Sequence, residues 1–145
     1  MRKINRIIIH CSATPEGKDY TVDQIRDWHV NGNGWNDIGY HFVIDRYGVI
    51  HKGRPIEKAG SHTKGHNADS IGICLIGGCV AETNPNWKNT PKDTRTPAQR
   101  VALINLVKEL KATYGQHITV HGHNEFAAKA CPSFIVKSDP DLCNL

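Results

Sequence analysis

Two imidazoles and a thiolate, His10, His123 and Cys131, are the residues with which this chain could do chemistry. They are zinc-ligand types, and three protein ligands leave the fourth tetrahedral position to water or substrate, which separates a catalytic zinc from a structural one held by four. A zinc so held lowers the pKa of water towards ~7 and polarises carbonyl groups, so the set would define a hydrolase. Spacing leaves the second ligand open. His121 and His123 lie two residues apart and would face the same side of an extended strand. The gap from His123 to Cys131 matches no general zinc-finger pattern, although Lys129 sets an ammonium near the Cys131 thiol, which favours its ionisation.

The elements that must position these residues are short and alternate between strand and helix, which predicts an α/β fold in one layered domain spanning residues 1–145. Arg6 to His10 reads as a buried strand whose last residue, followed by Cys11-Ser12-Ala13-Thr14-Pro15, emerges where ligands bind in open α/β sheets; a satisfied core histidine is the alternative. Thr21-Val22-Asp23-Gln24 is a capping box that starts a helix running through Trp28. His41 to Asp45 and Val49 to Lys52 form a hairpin around Arg46-Tyr47-Gly48. Ser70 to Ile76 is apolar enough for a central strand covered on both faces, with Cys74 as a small buried hydrophobe and Gly77-Gly78 as its end.

After a surface loop from Glu82 to Thr96, Thr96-Pro97-Ala98-Gln99 caps a second helix. Val101, Ile104, Val107 and Leu110 are expected to form its apolar stripe before Gly115. Ile118 to Val120 then makes a last strand that delivers His121 and His123. Of the nine histidines, His29, His51, His66 and His117 sit among polar residues and are expected as solvated surface side chains.

Composition narrows the class. At 145 residues the chain can bury a core without staples, and five cysteines with no Cys-x-x-Cys pair argue for reduced thiols. The net charge of +4 favours anionic partners without choosing one, and no basic stripe or recognition motif supports nucleic-acid binding. The three isoleucines after Arg6 are too few for a signal-peptide core or a membrane span, so the chain is expected to be made in the cytoplasm and not to insert in membranes.

Four segments in order then carry a resemblance: Ile9-His10-Cys11-Ser12-Ala13-Thr14, Trp35-Asn36-Asp37-Ile38-Gly39-Tyr40-His41-Phe42, Asn67-Ala68-Asp69-Ser70-Ile71-Gly72 and Lys129-Ala130-Cys131-Pro132-Ser133-Phe134. From Arg6 to Phe134 the chain resembles the zinc-dependent N-acetylmuramoyl-L-alanine amidases, above all the short bacteriophage lysozymes of amidase type, which are related to peptidoglycan recognition proteins. The resemblance implies a central mixed β-sheet flanked by helices, with one zinc per chain on His10, His123 and Cys131, and so favours His123 over His121. It implies roles for Tyr40 and Lys129 in catalysis and for His62 in substrate contact. Lys129 would hold the developing oxyanion, and Tyr40 would orient the water or relay a proton, its usual pKa of ~10 making it a poor unaided base.

One departure stands out, since another branch of the family carries a general-base glutamate where this chain has Cys74; the phage-like branch also lacks it. The implied activity is cleavage between N-acetylmuramic acid and L-alanine of peptidoglycan by a monomer that acts as an endolysin, reaching the wall after release from the cell. No separate wall-binding domain is expected. The alternative is a non-catalytic peptidoglycan-recognition module, which typically lacks the cysteine ligand.

Overall fold

The chain is described from Met1 to Leu145 in a computed structural model. Its elements are β1 (Arg6–Cys11), β2 (Thr14–Pro15), α1 (Val22–Asp27), β3 (Phe42–Ile44), β4 (Ile50–Lys52), β5 (Ser70–Leu75), β6 (Gly78–Cys79), α2 (Pro97–Tyr114), β7 (Thr119–Gly122) and α3 (Pro140–Cys143). The isoleucine run of β1 pairs in parallel with both β5 and β7, and β3 pairs in parallel with β5 and antiparallel with β4. The result is a mixed five-stranded sheet in the order β4-β3-β5-β1-β7. Every residue of β5 is buried, as its unbroken apolar run requires of a central strand. The short parallel pair of β2 and β6 forms a second sheet that the sequence reading did not foresee, because Gly77-Gly78 reads as a stop.

Strand alternation divides the residues between two faces. One face presents Ile7, Ile9, Ile44, Ile71, Ile73, Leu75 and Val120 to α2, whose Leu103, Leu106, Val107 and Leu110 complete the main core. On the other, Val43 and Cys74 join Ile25 of α1, Ile38 and Ile76 in a smaller cluster against which Tyr40 packs. His10, Ser70 and Gly72 share that second face by the same alternation.

Both capping boxes form: Thr21 Oγ1 accepts from Gln24 N–H and Thr96 Oγ1 from Gln99 N–H, each glutamine reaching back to the cap. The α2 stripe differs from the expected one. Val101 is 59% exposed, while Gln99, Leu103, Leu106, Val107 and Leu110 are buried. Steps of three residues fall about 60° behind a period of ~3.6, so three such steps carry Val101 to the side opposite Leu110. After Asp27 the first helix continues as a wider π turn, Trp28–Gly32. No helix is long and apolar enough to cross a membrane.

Candidate active site and metal centre

His10 is the penultimate residue of β1, at the carboxyl end of the parallel strands, and is buried. β7 ends at Gly122, and His123 opens a single 3-10 turn. Glu125 shapes that turn: one carboxylate oxygen accepts from Gly122 N–H at 2.7 Å and the other meets His121 Nδ1 at 2.9 Å, while His121 Nε2 lies 2.7 Å from Thr119 Oγ1. His121 is thereby held among its own strand neighbours. His123 instead faces His10, ring centroid to ring centroid 4.5 Å.

The third member comes from a loop held from several sides. Arg95 stacks on Phe134 at 3.5 Å and pairs with Asp139 at 2.7 Å, both partners of that ion pair being 8% exposed, and it also binds Asp93. Asn124 donates to the Phe134 carbonyl at 3.1 Å and Ser133 to the Gly78 carbonyl at 2.7 Å. These anchors bring Cys131 Sγ to 3.8 Å from His10 Nδ1. One ligand atom from each of His10, His123 and Cys131 lies within 4.8 Å of the others.

The electrostatics suit a metal. Burial, followed by the neighbouring His62, His123 and Lys129, lowers the His10 pKa well below that of a free imidazole, and burial followed by Lys129 lowers that of His123. Both rings are therefore neutral, as metal ligation demands. With no metal between them, the neighbouring Cys11 and Cys131 thiols oppose each other's ionisation: Cys131, beside Cys11 and buried, is pushed up, while Cys11 is lowered to about 7. The Cys11 backbone N–H, 3.2 Å from Cys131 Sγ, donates to that sulfur and favours the charge there. By alternation Cys11 falls on the side of β1 opposite His10, with its own sulfur 3.7 Å from Ser133 Oγ. Cys11 is outside the cluster of ligand atoms, which leaves three donors and an open side.

His123 also lines a cleft of about 620 Å³, together with Trp35, His62, Lys64, Asn67, Phe126 and Lys129. Two ammonium groups and no carboxylate line it. Tyr40 packs against His10 with ring centroids 5.1 Å apart, and burial, followed by the thiols of Cys74, Cys131 and Cys11, raises its pKa well above the ordinary phenol value. Cys74 is buried with its pKa raised by desolvation, so it offers no base.

Several histidines differ from the expected solvated set. His29 is half-buried, accepts from Gly39 N–H at 2.9 Å and packs 5.4 Å from Tyr40. His66 stacks on Phe126 at 4.3 Å and His51 pairs with Asp45 at 2.9 Å. His117 alone of the four is exposed. Polar neighbours in sequence say nothing about contacts made across the fold. Sequence reasoning assigns no cleft role to Trp35, Lys64, Asn67 and Phe126, and the close approaches at Gly60 and Gly72 point to the His62 ring instead.

The sequence pattern of the N-acetylmuramoyl-L-alanine amidase family matches residues 1–134, and the chain belongs to that family. It is 43% identical over 136 residues to the endolysin of Klebsiella phage KP32, covering 94% of this chain and 85% of the phage protein. It is also 43% identical to the endolysin of Escherichia phage T7, covering 90% and 82% of the two chains. Among solved structures, the amidase LysC from Clostridium intestinale matches with a TM-score of 0.73 at 32% identity over 90% of this chain and 77% of its own. Drosophila PGRP-LB matches with a TM-score of 0.78 at 27% identity over 98% and 84%.

Proposed function

We propose that this chain is a zinc-dependent peptidoglycan amidase that hydrolyses the bond between the lactyl group of N-acetylmuramic acid and the L-alanine of the stem peptide, working as an endolysin. The observation that carries the proposal is the convergence of the His10, His123 and Cys131 donor atoms within 4.8 Å, beside an open cleft that His123 lines. On this reading those three residues hold one zinc ion. Zinc with an open coordination position polarises a carbonyl and brings the pKa of water there to about 7.

The chain's own groups account for the rest. Lys129, exposed at the cleft, stabilises negative charge on the scissile carbonyl oxygen as the tetrahedral species forms. Tyr40 keeps its phenolic proton, so it acts as a hydrogen-bond donor that orients water or oxyanion beside His10 and not as a base. Trp35 and Phe126 offer apolar walls to the substrate, and Lys64 offers a second cation to the stem peptide. The relatives named endolysins favour the lytic setting, in which the enzyme reaches the wall after release from the cytoplasm.

Mass spectrometry of muropeptides incubated with the purified protein, with and without a chelator, tests this. Peptide released from muramic acid, and release abolished by the chelator, is the expected result. Intact muropeptides after incubation with folded, zinc-loaded protein would refute the amidase, and stoichiometric binding without cleavage would establish a recognition module.

A further inference from the structure

His10 has two ring nitrogens and only one can face the cluster of ligand atoms. Nδ1 is the one on the Cys131 side, 3.8 Å from Sγ. Nε2 points away from it and lies 2.9 Å from His62 Nδ1 and 3.3 Å from Thr63 Oγ1. On its far edge His62 Nε2 lies 3.2 Å from Ser70 Oγ. A consistent proton assignment follows. With the His10 Nδ1 lone pair reserved for a metal, His10 Nε2–H donates to His62 Nδ1, which Thr63 Oγ1 also approaches at 3.0 Å, and His62 Nε2–H donates to Ser70 Oγ.

The His62 ring sits in a built slot. A Cβ on Gly72 would come within 2.6 Å of the ring, and one on Gly60 within 2.7 Å of its Cδ2. Asn67 Oδ1 accepts from the backbone N–H groups of His62 and Thr63 at 3.0 and 2.9 Å, which fixes the loop that carries both. Beneath the slot His41 is similarly pinned: its Nδ1 accepts from Gly72 N–H at 3.0 Å and its Nε2–H donates to the Lys58 carbonyl at 2.8 Å. No buried side-chain nitrogen or oxygen in the chain lacks a partner.

We propose that His62 is a positioning residue that fixes the tautomer and orientation of His10, presenting His10 Nδ1 to the metal, and that Gly72 is glycine in order to seat it. This action through His10 goes beyond the contact with substrate that family resemblance implies and that the place of His62 in the cleft lining permits. The inference rests on the metal-centre reading. Partners of this kind set ligand orientation and raise ligand basicity, and their loss typically weakens metal binding about 10–100-fold.

Zinc affinity measured by chelator competition, together with long-range proton–nitrogen NMR of the His10 ring in the zinc-free protein, tests the proposal. Wild-type protein is expected to show His10 protonated at Nε2, and His62→Leu, which keeps bulk and removes the acceptor, to bind zinc about 10–100-fold more weakly. His62→Asn, whose amide oxygen can stand where Nδ1 stands, is expected to recover most of that affinity, and Gly72→Ala to weaken binding by unseating the ring. His10 protonated at Nδ1 in the wild type would overturn the proposal even if His62→Leu fails to fold. Wild-type affinity in His62→Leu with only KM raised would return His62 to substrate contact and leave the metal centre standing. A wild-type chain that binds no zinc would overturn both readings.

Discussion

The two faces of the sheet solve opposite problems with residues from the same strands. Towards α2, β1 and β5 contribute Ile7, Ile9, Ile71, Ile73 and Leu75, packed on Leu103, Leu106 and Val107, and the buried Gln99 amide is met by the Ile44 and Ile76 carbonyls. Each such side chain stabilises the fold by about 1.5–3 kcal/mol when fully buried. On the other face the same strands contribute His10, Ser70, Gly72 and Cys74, and the space is filled by the rings of His62, His41 and Tyr40. That face gives up aliphatic burial for imidazoles that each need hydrogen-bond partners, and it finds them in Ser70, Gly72, Thr63 and Lys58. One face supplies stability, and the other is held in shape by it.

Substitutions on either side should separate the two roles. The largest effect is expected from Cys131→Ser: loss of bound zinc and of turnover, with circular dichroism and melting behaviour largely kept, because Cys131 is half-buried on a loop anchored by Arg95, Asn124 and Ser133. Retained zinc in that variant would remove Cys131 from the metal centre. On the opposite face, Leu103→Ala should lower unfolding free energy by about 2–5 kcal/mol in urea titrations, and leave the zinc affinity of the folded protein unchanged. Coupled loss of affinity would show that the faces are not separable.

Lys129→Met should reduce kcat by about 10²–10³-fold with zinc content intact, since the ammonium acts at the cleft and not in the ligand set. An effect confined to KM would make it a substrate anchor. Thr96→Ala, which removes the α2 cap, should cost about 1 kcal/mol with no change in turnover. The smallest effect is expected at Val101→Thr, within about 0.5 kcal/mol, in contrast to Leu103 two residues on; a large loss would place Val101 in an apolar contact that its exposure does not show.

The aliphatic face was the more legible in the sequence, because continuous apolar runs and capping boxes state their own structure. The Val101 stripe departs from it because steps of three fall behind a helix that turns every ~3.6 residues. The chemical face was legible only in part. His10 announced itself by ending a strand, yet His123 and His121 could be separated by residue types only through family likeness; in the fold, Glu125 and Thr119 hold His121 aside. The cleft residues Trp35, Lys64 and Phe126 and the packing of His29 on Tyr40 depend on loops brought together from distant parts of the chain, and no local periodicity encodes them.

On the proposed reading His10, His123 and Cys131 build an open three-ligand zinc site and not a closed four-ligand one, and Cys11 beside Cys131 makes the two distinguishable by their sulfur count. Zinc K-edge X-ray absorption on the zinc-loaded protein measures this directly. The expected result is one sulfur at about 2.3 Å, two imidazole nitrogens at about 2.0–2.1 Å and one light-atom ligand from solvent. Two sulfurs in the coordination shell, with Cys11 completing a closed site, would contradict it.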